Sequence, residues 1–280
     1  MTPDESSTNH IAKNDVGSSY LLEDVLDNVA TLTLNRSNAR NCLSLDMISA
    51  LHEAIDRLAK MPAVKVIIIT ANGPVFCAGH DLKQMTAARS DSDRGRAYFT
   101  TTLTACSAMM QAIIKCRKPV IAAVQGTATA AGCQLVATCD LAVASETAKF
   151  ATPGVHIGLF CSTPMVALSR NIARKHAMEM LLTGDAISAE KAMNWGLINK
   201  VTSAKTLMDS AQDMASLITS KPISTVKIGK EAFYRQLEMP LSDAYNFAAQ
   251  TMVENMLIRD AEEGIDAFLD KREPLWEKPE

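Results

Sequence analysis

Two short segments rich in small residues are the parts of this sequence best suited to chemistry. Residues 76–83 (FCAGHDLK) and 126–134 (GTATAAGCQ) each follow an apolar stretch that predicts a strand. Gly and Ala let a ligand approach the main chain, and a helix that begins there directs unpaired N–H groups at it. Two such donors would form an oxyanion hole. The alternative is a pair of tight turns whose small residues let helix and sheet pack, and the residues alone leave both open.

Motifs for other kinds of chemistry are missing. The sequence lacks GxGxxG after a predicted strand, GxxxxGK[ST], HExxH and GxSxG, which are typical of dinucleotide, ATP, zinc-protease and α/β-hydrolase sites. The histidines are spread along the chain without the spacing of metal ligands. They are His10, His52, His80, His156 and His176. We therefore expect no metal site.

The elements that must position the two segments alternate between strand and helix. Residues 29–36 alternate apolar and polar at the period of a half-buried strand, and the β-branched run 64–70 predicts a strand buried on both faces. Between them, Ser44 can cap a helix with Asp46 in its first turn. Its apolar residues recur at helical spacing: Leu45, Ile48, Leu51, Ile55 and Leu58.

The following stretch repeats this order. A helix is predicted over 97–115, and Pro119 then releases the chain into a strand over 120–126. The next segment begins as a loop, becomes helical near Ala131, and leads to a strand over 140–145. This alternation predicts an α/β domain with a largely parallel sheet.

From Ser188 onward the pattern is almost wholly helical. Ser188 can serve as an N-cap and Gly196 as a C-terminal stop, and long amphipathic stretches follow. We predict a disordered polar tail over 1–17, a core over 18–200 and a helical region over 201–280. These helices would cover the core or a neighbouring subunit, and no linker separates them from it.

Composition and charge narrow the class of protein. With 280 residues, of which 48% are hydrophobic and 21% charged, the chain can bury a sizeable core. Its 28 basic and 31 acidic residues give a net charge of −3, which favours neither nucleic acid nor an anionic membrane as a partner. The apolar runs fall far short of the roughly 20 residues that span a bilayer.

The cysteines and the N-terminal segment bear on the compartment. Seven cysteines without CxxC spacing, in a chain too long to need disulfides, predict reduced thiols. Residues 1–17 have neither the apolar centre of a signal peptide nor the Arg-rich, acid-poor character of a transit peptide. We therefore expect a cytoplasmic protein.

Six segments resemble, in order, the motifs of the crotonase family, which is the enoyl-CoA hydratase/isomerase family. NRSNARNCLS resembles the family's RPxxxNAL segment, FCAGHDLKQM its FxAGxDLxxM loop, and VQGTATAAGCQLVATCDLAVAS its VxGxAxGGGxxLAxxCDxxxA segment. FATPGVHIGL, TGDAISAEKAMNWGLINKV and EGIDAFLDKR follow. The resemblance implies a spiral of β-β-α turns with a C-terminal helical trimerisation region, in a trimer or a dimer of trimers.

The resemblance also implies an acyl-CoA thioester as ligand, with coenzyme A as part of the substrate and no separate cofactor. Its carbonyl oxygen would lie between the backbone N–H groups of His80 and Ala131. The loss of one such donor typically costs about 2.7 to 4 kcal/mol of transition-state stabilisation.

Two catalytic glutamates of the family are replaced in this chain, at Gln134 and Gly154. An amide does not transfer protons at ordinary pH and glycine has no side chain, so we expect ordinary hydration to be badly impaired. His156 is a candidate replacement if its ring turns toward the acyl group. The alternative, which we favour, is a histidine that faces solvent or packs within a strand.

Other residues carry weaker predictions. The resemblance gives the coenzyme A contacts as Ala39, Arg40, Asp81, Leu82, Lys83, Phe268 and Lys271. Asp81 has two alternatives, since it can orient His80 or cap a helix. Cys161, with Ser162 and Thr163, would line the acyl pocket as a polar wall, because no paired base would make it a nucleophile.

Two hypotheses of function follow. The first is an enzyme that stabilises an acyl-CoA enolate without the carboxylates, by decarboxylation of a malonyl-type thioester or by weak hydration. AGHD resembles the tetrapeptide of methylmalonyl-CoA decarboxylases. The second is a binding or regulatory protein that keeps the acyl-CoA pocket. AAGCQLVA, FATPGV and GLFCSTP resemble a branch of the family that also lacks both glutamates. Retention of both oxyanion loops favours catalysis.

Overall fold

The computed structural model describes residues 20–276, so the predicted tail over 1–17 lies outside the described residues. The strands are β1 (Leu21–Leu26), β2 (Val29–Leu34), β3 (Val66–Ala71), β4 (Val75–Cys77), β5 (Val120–Val124), β6 (Thr127–Thr129), β7 (Leu141–Ser145), β8 (Lys149–Ala151), β9 (Ile187–Ser188) and β10 (Lys200–Thr202). The α-helices are α1 (Leu45–Lys60), α2 (Leu82–Ala87), α3 (Arg96–Lys115), α4 (Ala131–Thr138), α5 (Pro164–Asn171), α6 (Arg174–Thr183), α7 (Ala189–Asn194), α8 (Leu207–Thr219), α9 (Ile223–Gln236), α10 (Leu241–Met256) and α11 (Arg259–Asp270).

A six-stranded main sheet has the order β1-β2-β3-β5-β7-β10, and every neighbouring pair is parallel except β1 with β2. Every residue of β3 and β5 is buried, as predicted for β-branched strands covered on both faces. The largely parallel α/β core is confirmed.

The antiparallel β1 was missed, because the charged pair Glu23 and Asp24 interrupts the alternation of its short sequence. A turn at Asp27 and Asn28, both with positive φ, joins it to β2. Asp and Asn tolerate such φ values, so these two residues were the available sign of a hairpin.

A second sheet has the order β4-β6-β8-β9, and its strands alternate along the chain with strands of the main sheet. Each of β4, β6 and β8 directly follows a strand of the main sheet, and a helix follows in turn. These are the β-β-α turns that the family resemblance predicts. The start of the segment after Gly126, predicted as a loop, is strand β6, because it pairs with β4 and β8.

The helices begin where local chemistry predicts. Ser44 Oγ accepts a hydrogen bond from the N–H of Met47 at 3.3 Å, and the apolar stripe of α1 is buried in the core. Helix α3 confirms the prediction over 97–115 to within one residue. Ser188 Oγ accepts from the N–H of Lys191 at 3.2 Å and so caps α7.

The C-terminal helices attach to the core unevenly. Helix α8 packs against the main sheet, whereas α9 and α10 have no buried residue. Lys230 in α9 reaches into the core and lies 2.6 Å from Asp140 Oδ2, which also accepts from the N–H of Val120 at 2.7 Å. The division of the chain at residue 200 stays a prediction.

Candidate functional site

The two small-residue segments meet at the carboxyl ends of β4 and β6, which are neighbouring parallel strands. Gly79 has a φ of +85°, and an ideal Cβ built on it would lie 3.3 Å from the nitrogen of Ala131 and 2.9 Å from the Cβ of Ala130. A side chain at position 79 would therefore push the loops apart. The approach places His80 beside the start of α4.

Leu43 holds the main chain on both sides of His80. The N–H of Leu43 donates to the carbonyl oxygen of Gly79 at 2.8 Å, and the N–H of Asp81 donates to the carbonyl oxygen of Leu43 at 3.3 Å. Leu43 is fully buried, so these two hydrogen bonds anchor the loop to the core. The N–H of His80 itself has no acceptor within residues 20–276.

The second donor opens helix α4. Ala131 is its first residue, and the first N–H groups of a helix have no intrahelical acceptor. Its N–H finds no other acceptor in the described part of the chain. The loops thus bring two unpaired N–H groups together, which is the arrangement that an oxyanion hole requires.

The turn before α4 carries a strained residue. Ala130 has φ 50° and ψ −120°, a combination that glycine adopts far more easily than alanine. Its N–H donates to the carbonyl oxygen of Ala151 at 2.9 Å, which holds the turn against β8. A Cβ at Gly132 would lie 2.2 Å from the carbonyl oxygen of Cys77, so α4 starts in direct contact with β4.

The two positions that lack glutamates differ in their surroundings. Gln134 is 6% exposed, and its Oε1 has no partner among the described residues. A Cβ at Gly154 would lie 2.8 Å from the carbonyl oxygen of Leu159 and 2.9 Å from the Sγ of Cys161. The space for a side chain at position 154 is therefore already filled.

The ring of His156 contacts the end of α6. Its Nε2 lies 2.8 Å from the carbonyl oxygen of Thr183, the last residue of α6. The 3-10 turn Pro153–Ile157 leaves the ring exposed. The structure thus matches the solvent-facing alternative, and the residue lies in a 3-10 turn and not in a strand. An acid–base role would first require the contact with Thr183 to break.

Asp81 caps α2. Its Oδ1 accepts from the N–H of Lys83 at 3.1 Å and of Gln84 at 3.3 Å, and its Oδ2 accepts from Nη1 of Arg36 at 2.9 Å. Burial raises the pKa of Asp81, but the hydrogen bonds from Gln84, Cys42 and Arg36 outweigh it, so the pKa lies below its ordinary value. Asp81 is therefore ionised at neutral pH and secures the loop.

The side chain of His80 is partly buried. Burial lowers its pKa, and the buried Nε2 has no partner within residues 20–276. A histidine with a lowered pKa is neutral at pH 7.

The residues predicted to contact coenzyme A form two groups. Arg40 is in the left-handed conformation after the 3-10 turn Ser37–Ala39, and its carbonyl oxygen accepts from the N–H of Ala78 at 3.1 Å. Leu82 and Lys83 are exposed in the first turn of α2. Ala39, Arg40, Asp81, Leu82 and Lys83 therefore border the loop of His80.

The second group lies at the end of α11. Phe268 is 82% exposed, and Lys271 is the left-handed C-cap. No hydrogen bond within the described residues links either side chain to the first group. The predicted contacts of Phe268 and Lys271 with coenzyme A stay predictions.

All seven cysteines fall within the described residues and are unpaired and buried, in agreement with the predicted reduced thiols. Burial raises the pKa of the Cys161 thiol, and the N–H of Gly154 partly offsets this. A thiol with a raised pKa is a poor nucleophile, consistent with a wall residue.

Sequence reasoning missed Arg36, Leu43 and Thr152. Arg36 and Leu43 hold the loop of His80, and Thr152 is fully buried next to Ala151. Arg36 and Leu43 belong to the segment that resembles the family's RPxxxNAL motif, which was the available sign. No pattern singled out Thr152.

Known proteins resemble this chain in sequence. The family model "Enoyl-CoA hydratase/isomerase" matches residues 24–279. The rat enoyl-CoA hydratase domain-containing protein 3, mitochondrial, is 49% identical over 89% of this chain and 82% of its own length. No helix among residues 20–276 is long and apolar enough to cross a bilayer.

Two solved structures resemble this chain in both sequence and fold. An enoyl-CoA hydratase from Mycobacterium smegmatis is 49% identical with a TM-score of 0.88, covering 92% of this chain and 99% of that one. The human enoyl-CoA hydratase domain-containing protein 3 is 46% identical with a TM-score of 0.87, covering 92% and 100%. The chain therefore belongs to the enoyl-CoA hydratase/isomerase family and has its crotonase-type fold.

Proposed function

We propose that this protein binds an acyl-CoA thioester and stabilises its enolate through the backbone N–H groups of His80 and Ala131. The observation that carries the proposal is the close approach of the two loops at Gly79 and Ala131, with both N–H groups unpaired within the described residues. Donors fixed in place before the reaction stabilise developing negative charge without reorganisation. The activity would be that of a lyase.

Ordinary hydration of an enoyl-CoA is not the activity we propose. Activation of water needs a group that takes a proton, and Gln134 and Gly154 supply none. The filled space at Gly154 supports this, since no neighbouring carboxylate could occupy it without a shift of Leu159.

A carboxylate-free site suits a reaction that forms the enolate without a base. When a malonyl-type thioester decarboxylates, the bond between the α-carbon and the carboxylate breaks, CO2 leaves, and the electron pair passes to the thioester oxygen. The enolate then takes a proton from water. The second candidate is a binding protein without turnover, which the unpaired, buried polar groups of the site also support.

The test compares two substitutions at one position. The purified protein is incubated with enoyl-, malonyl-type and branched acyl-CoA esters, and product masses are followed. His80→Ala keeps the backbone donor, whereas His80→Pro removes it. We expect His80→Pro to reduce the rate by about 10²- to 10³-fold relative to His80→Ala, the effect typical of an oxyanion donor.

Other outcomes separate the alternatives. Equal rates for the two variants, with both folded by circular dichroism, would contradict the oxyanion role. Tight binding of esters with no product from any of them would support the binding protein instead.

We further propose that the protein assembles as a trimer or a dimer of trimers. The large apolar side chains of the C-terminal helices support it, since Leu241, Tyr245 and Phe268 are 75%, 71% and 82% exposed. Such a surface is typical of a subunit interface. The cytoplasmic location stays a prediction, and the names of the curated relatives carry the word mitochondrial.

A further inference from the structure

A cavity lined by three arginines lies at the start of helix α3. Its volume is about 790 Å³, which falls in the range of small-molecule sites. None of its lining residues belongs to the two oxyanion loops or to the positions predicted to contact coenzyme A. The residues of the lining that carry charge or apolar surface are Arg89, Asp93, Arg94, Arg96, Phe99 and Leu103.

The loop before α3 folds back on itself and brings the arginines to one place. Gly95 has a φ of +85°, and an ideal Cβ built on it would lie 3.1 Å from the carbonyl carbon of Ala88. The N–H of Asp91 donates to the carbonyl oxygen of Ala88 at 3.0 Å, and the N–H of Arg94 donates to that of Asp91 at 2.8 Å. Arg89 and Arg94 therefore sit on one short loop that is closed by its own hydrogen bonds.

Helix α3 supplies the rest of the cavity from one face. Arg96 is its first residue, and Phe99 and Leu103 follow at spacings of three and four, which share a helix face. The Phe99 ring also packs on the loop, since a Cβ at Gly95 would lie 2.8 Å from its Cζ. Leu103 is 37% exposed. The cavity thus has cationic side chains beside an apolar wall.

The three guanidinium groups have no partner in the described part of the chain. Other arginines there form ion pairs, as Arg36 does with Asp81 and Arg57 with Glu23, but these three form none and make no side-chain hydrogen bond. All three side chains are exposed. Guanidinium groups bind phosphate and carboxylate bidentately, so an anion in the cavity would find several donors at once. The three residues are Arg89, Arg94 and Arg96.

Asp93 is the one carboxylate of the lining, and it serves the helix. Its Oδ1 accepts from the N–H of Gly95 at 2.9 Å and its Oδ2 from the N–H of Ala97 at 2.7 Å. These hydrogen bonds hold the pKa of Asp93 below its ordinary value, so the group is ionised at pH 7. Three positive charges and one negative charge leave the lining with a charge of +2. A phosphate monoester carries about −1.5 to −2 at this pH and balances that charge, whereas a carboxylate supplies only half of it.

We propose that this cavity binds a small organic phosphate monoester, with the phosphate at the three arginines and the apolar part of the ligand against Phe99 and Leu103. The site is separate from the proposed acyl-CoA site and does not depend on it. Coenzyme A also carries phosphate groups, so the test must distinguish a separate phosphate ligand from the coenzyme.

Calorimetric titration of the full chain at pH 7.5 with phenyl phosphate tests the proposal. Benzoate keeps the ring but has a single charge, and inorganic phosphate keeps the charge but lacks the ring. We expect phenyl phosphate to bind at least tenfold more tightly than either. Arg89→Leu and Arg96→Leu should each weaken its binding about tenfold, the effect typical of one hydrogen bond to a charged group.

Arg174→Leu is the matched control. Arg174 is also an exposed first residue of a helix without an ion pair among residues 20–276, but it lies on α6 and does not line the cavity. This variant should bind phenyl phosphate as the wild type does. Circular dichroism should show that all three variants are folded.

The same titration in saturating coenzyme A separates the two sources of phosphate. We expect the affinity for phenyl phosphate to stay unchanged. Competition by coenzyme A would overturn the assignment to a separate ligand. The proposal would also be wrong if phenyl phosphate bound no more tightly than benzoate, or if its binding survived both Arg89→Leu and Arg96→Leu.

Discussion

The guanidinium of Arg36 donates from Nη1 to Oδ2 of Asp81 at 2.9 Å, which ties the residue after His80 to the loop that follows β2. The two residues are 45 positions apart. Asp81 in turn caps α2, so one ion pair joins three segments around the first oxyanion loop. The position of the His80 N–H therefore depends on a contact far from it in sequence.

Arg36→Met should loosen this loop. The ion pair is largely buried, and removal of one partner leaves the Asp81 carboxylate with a hydrogen bond fewer, a loss of about 1 to 3 kcal/mol in the free energy of unfolding. Urea denaturation would measure it. Arg36→Lys keeps the charge and should recover part of the loss. An Arg36→Met protein as stable as the wild type would show that the pair contributes nothing.

Asp81 also gives the fold a dependence on acid pH. Because its pKa is lower in the folded state than in the unfolded chain, the stability it contributes is present above about pH 4 and is lost as the pH falls through the folded value. Asp81→Asn should therefore be less stable than the wild type at pH 7, with the difference shrinking toward pH 3. Urea midpoints at several pH values test this, and a difference independent of pH would contradict it.

Restoring the family's glutamates should not restore hydration. Gln134→Glu alone leaves position 154 without a carboxylate, so crotonyl-CoA hydration should stay more than tenfold below that of an ordinary hydratase. Steady-state kinetics measure this. In Gly154→Glu the new side chain meets the Leu159 carbonyl oxygen and Cys161, and overpacking typically costs about 1 to 3 kcal/mol.

The double variant should therefore melt at a lower temperature than Gln134→Glu and still hydrate poorly. Gly158→Ala is unsuitable as a comparison because its φ is positive, whereas Gly229→Ala, which has open space, is a proper control for an added side chain. Rapid hydration by the double variant would refute the view that packing closes position 154.

Ala130→Gly should stabilise the protein. The φ and ψ values of Ala130 typically cost about 1 to 3 kcal/mol for a residue with a Cβ. Glycine removes that strain but adds about 0.5 to 1 kcal/mol of unfolded-state entropy, so the net gain should be about 1 kcal/mol. Thermal unfolding would measure the gain, with Ala137→Gly inside α4 as a control that should destabilise. A lower melting temperature for Ala130→Gly would mean that the turn is not strained.

Stability should fall above about pH 9. Burial raises the pKa of Cys77, Cys106 and Cys133 to about 12, against 9.0 for an exposed thiol. Between these values the unfolded chain loses protons that the folded chain keeps, so rising pH favours unfolding. Lys118 has the opposite effect on stability, because burial lowers its pKa to about 8 and rising pH then favours the folded state. Its single proton is outweighed by those of the several buried thiols.

Urea midpoints from pH 9 to 10 would test this decline. Cys106→Ala removes one of the thiols and should make the decline shallower. A midpoint that rises over this range in the wild type would contradict the prediction.

Local sequence determined much of the fold and part of the candidate site. The β-branched run that became β3 and the cap at Ser44 depend on neighbouring residues, so their patterns predicted them. The oxyanion loops and the two replaced glutamates, at Gln134 and Gly154, could be named from motifs alone. The charged β1 and the short β6 could not, because their pairing partners decide whether they are strands.

Only the tertiary structure decided which of these segments contact one another. The approach of Gly79 to Ala131 joins residues 52 positions apart, and it arises because β4 and β6 are parallel neighbours. The space at Gly154 is filled by a loop, and the ring of His156 is held by Thr183. Hydrophobic periodicity and capping act over a few residues, whereas these contacts depend on where distant segments pack, which no local pattern encodes.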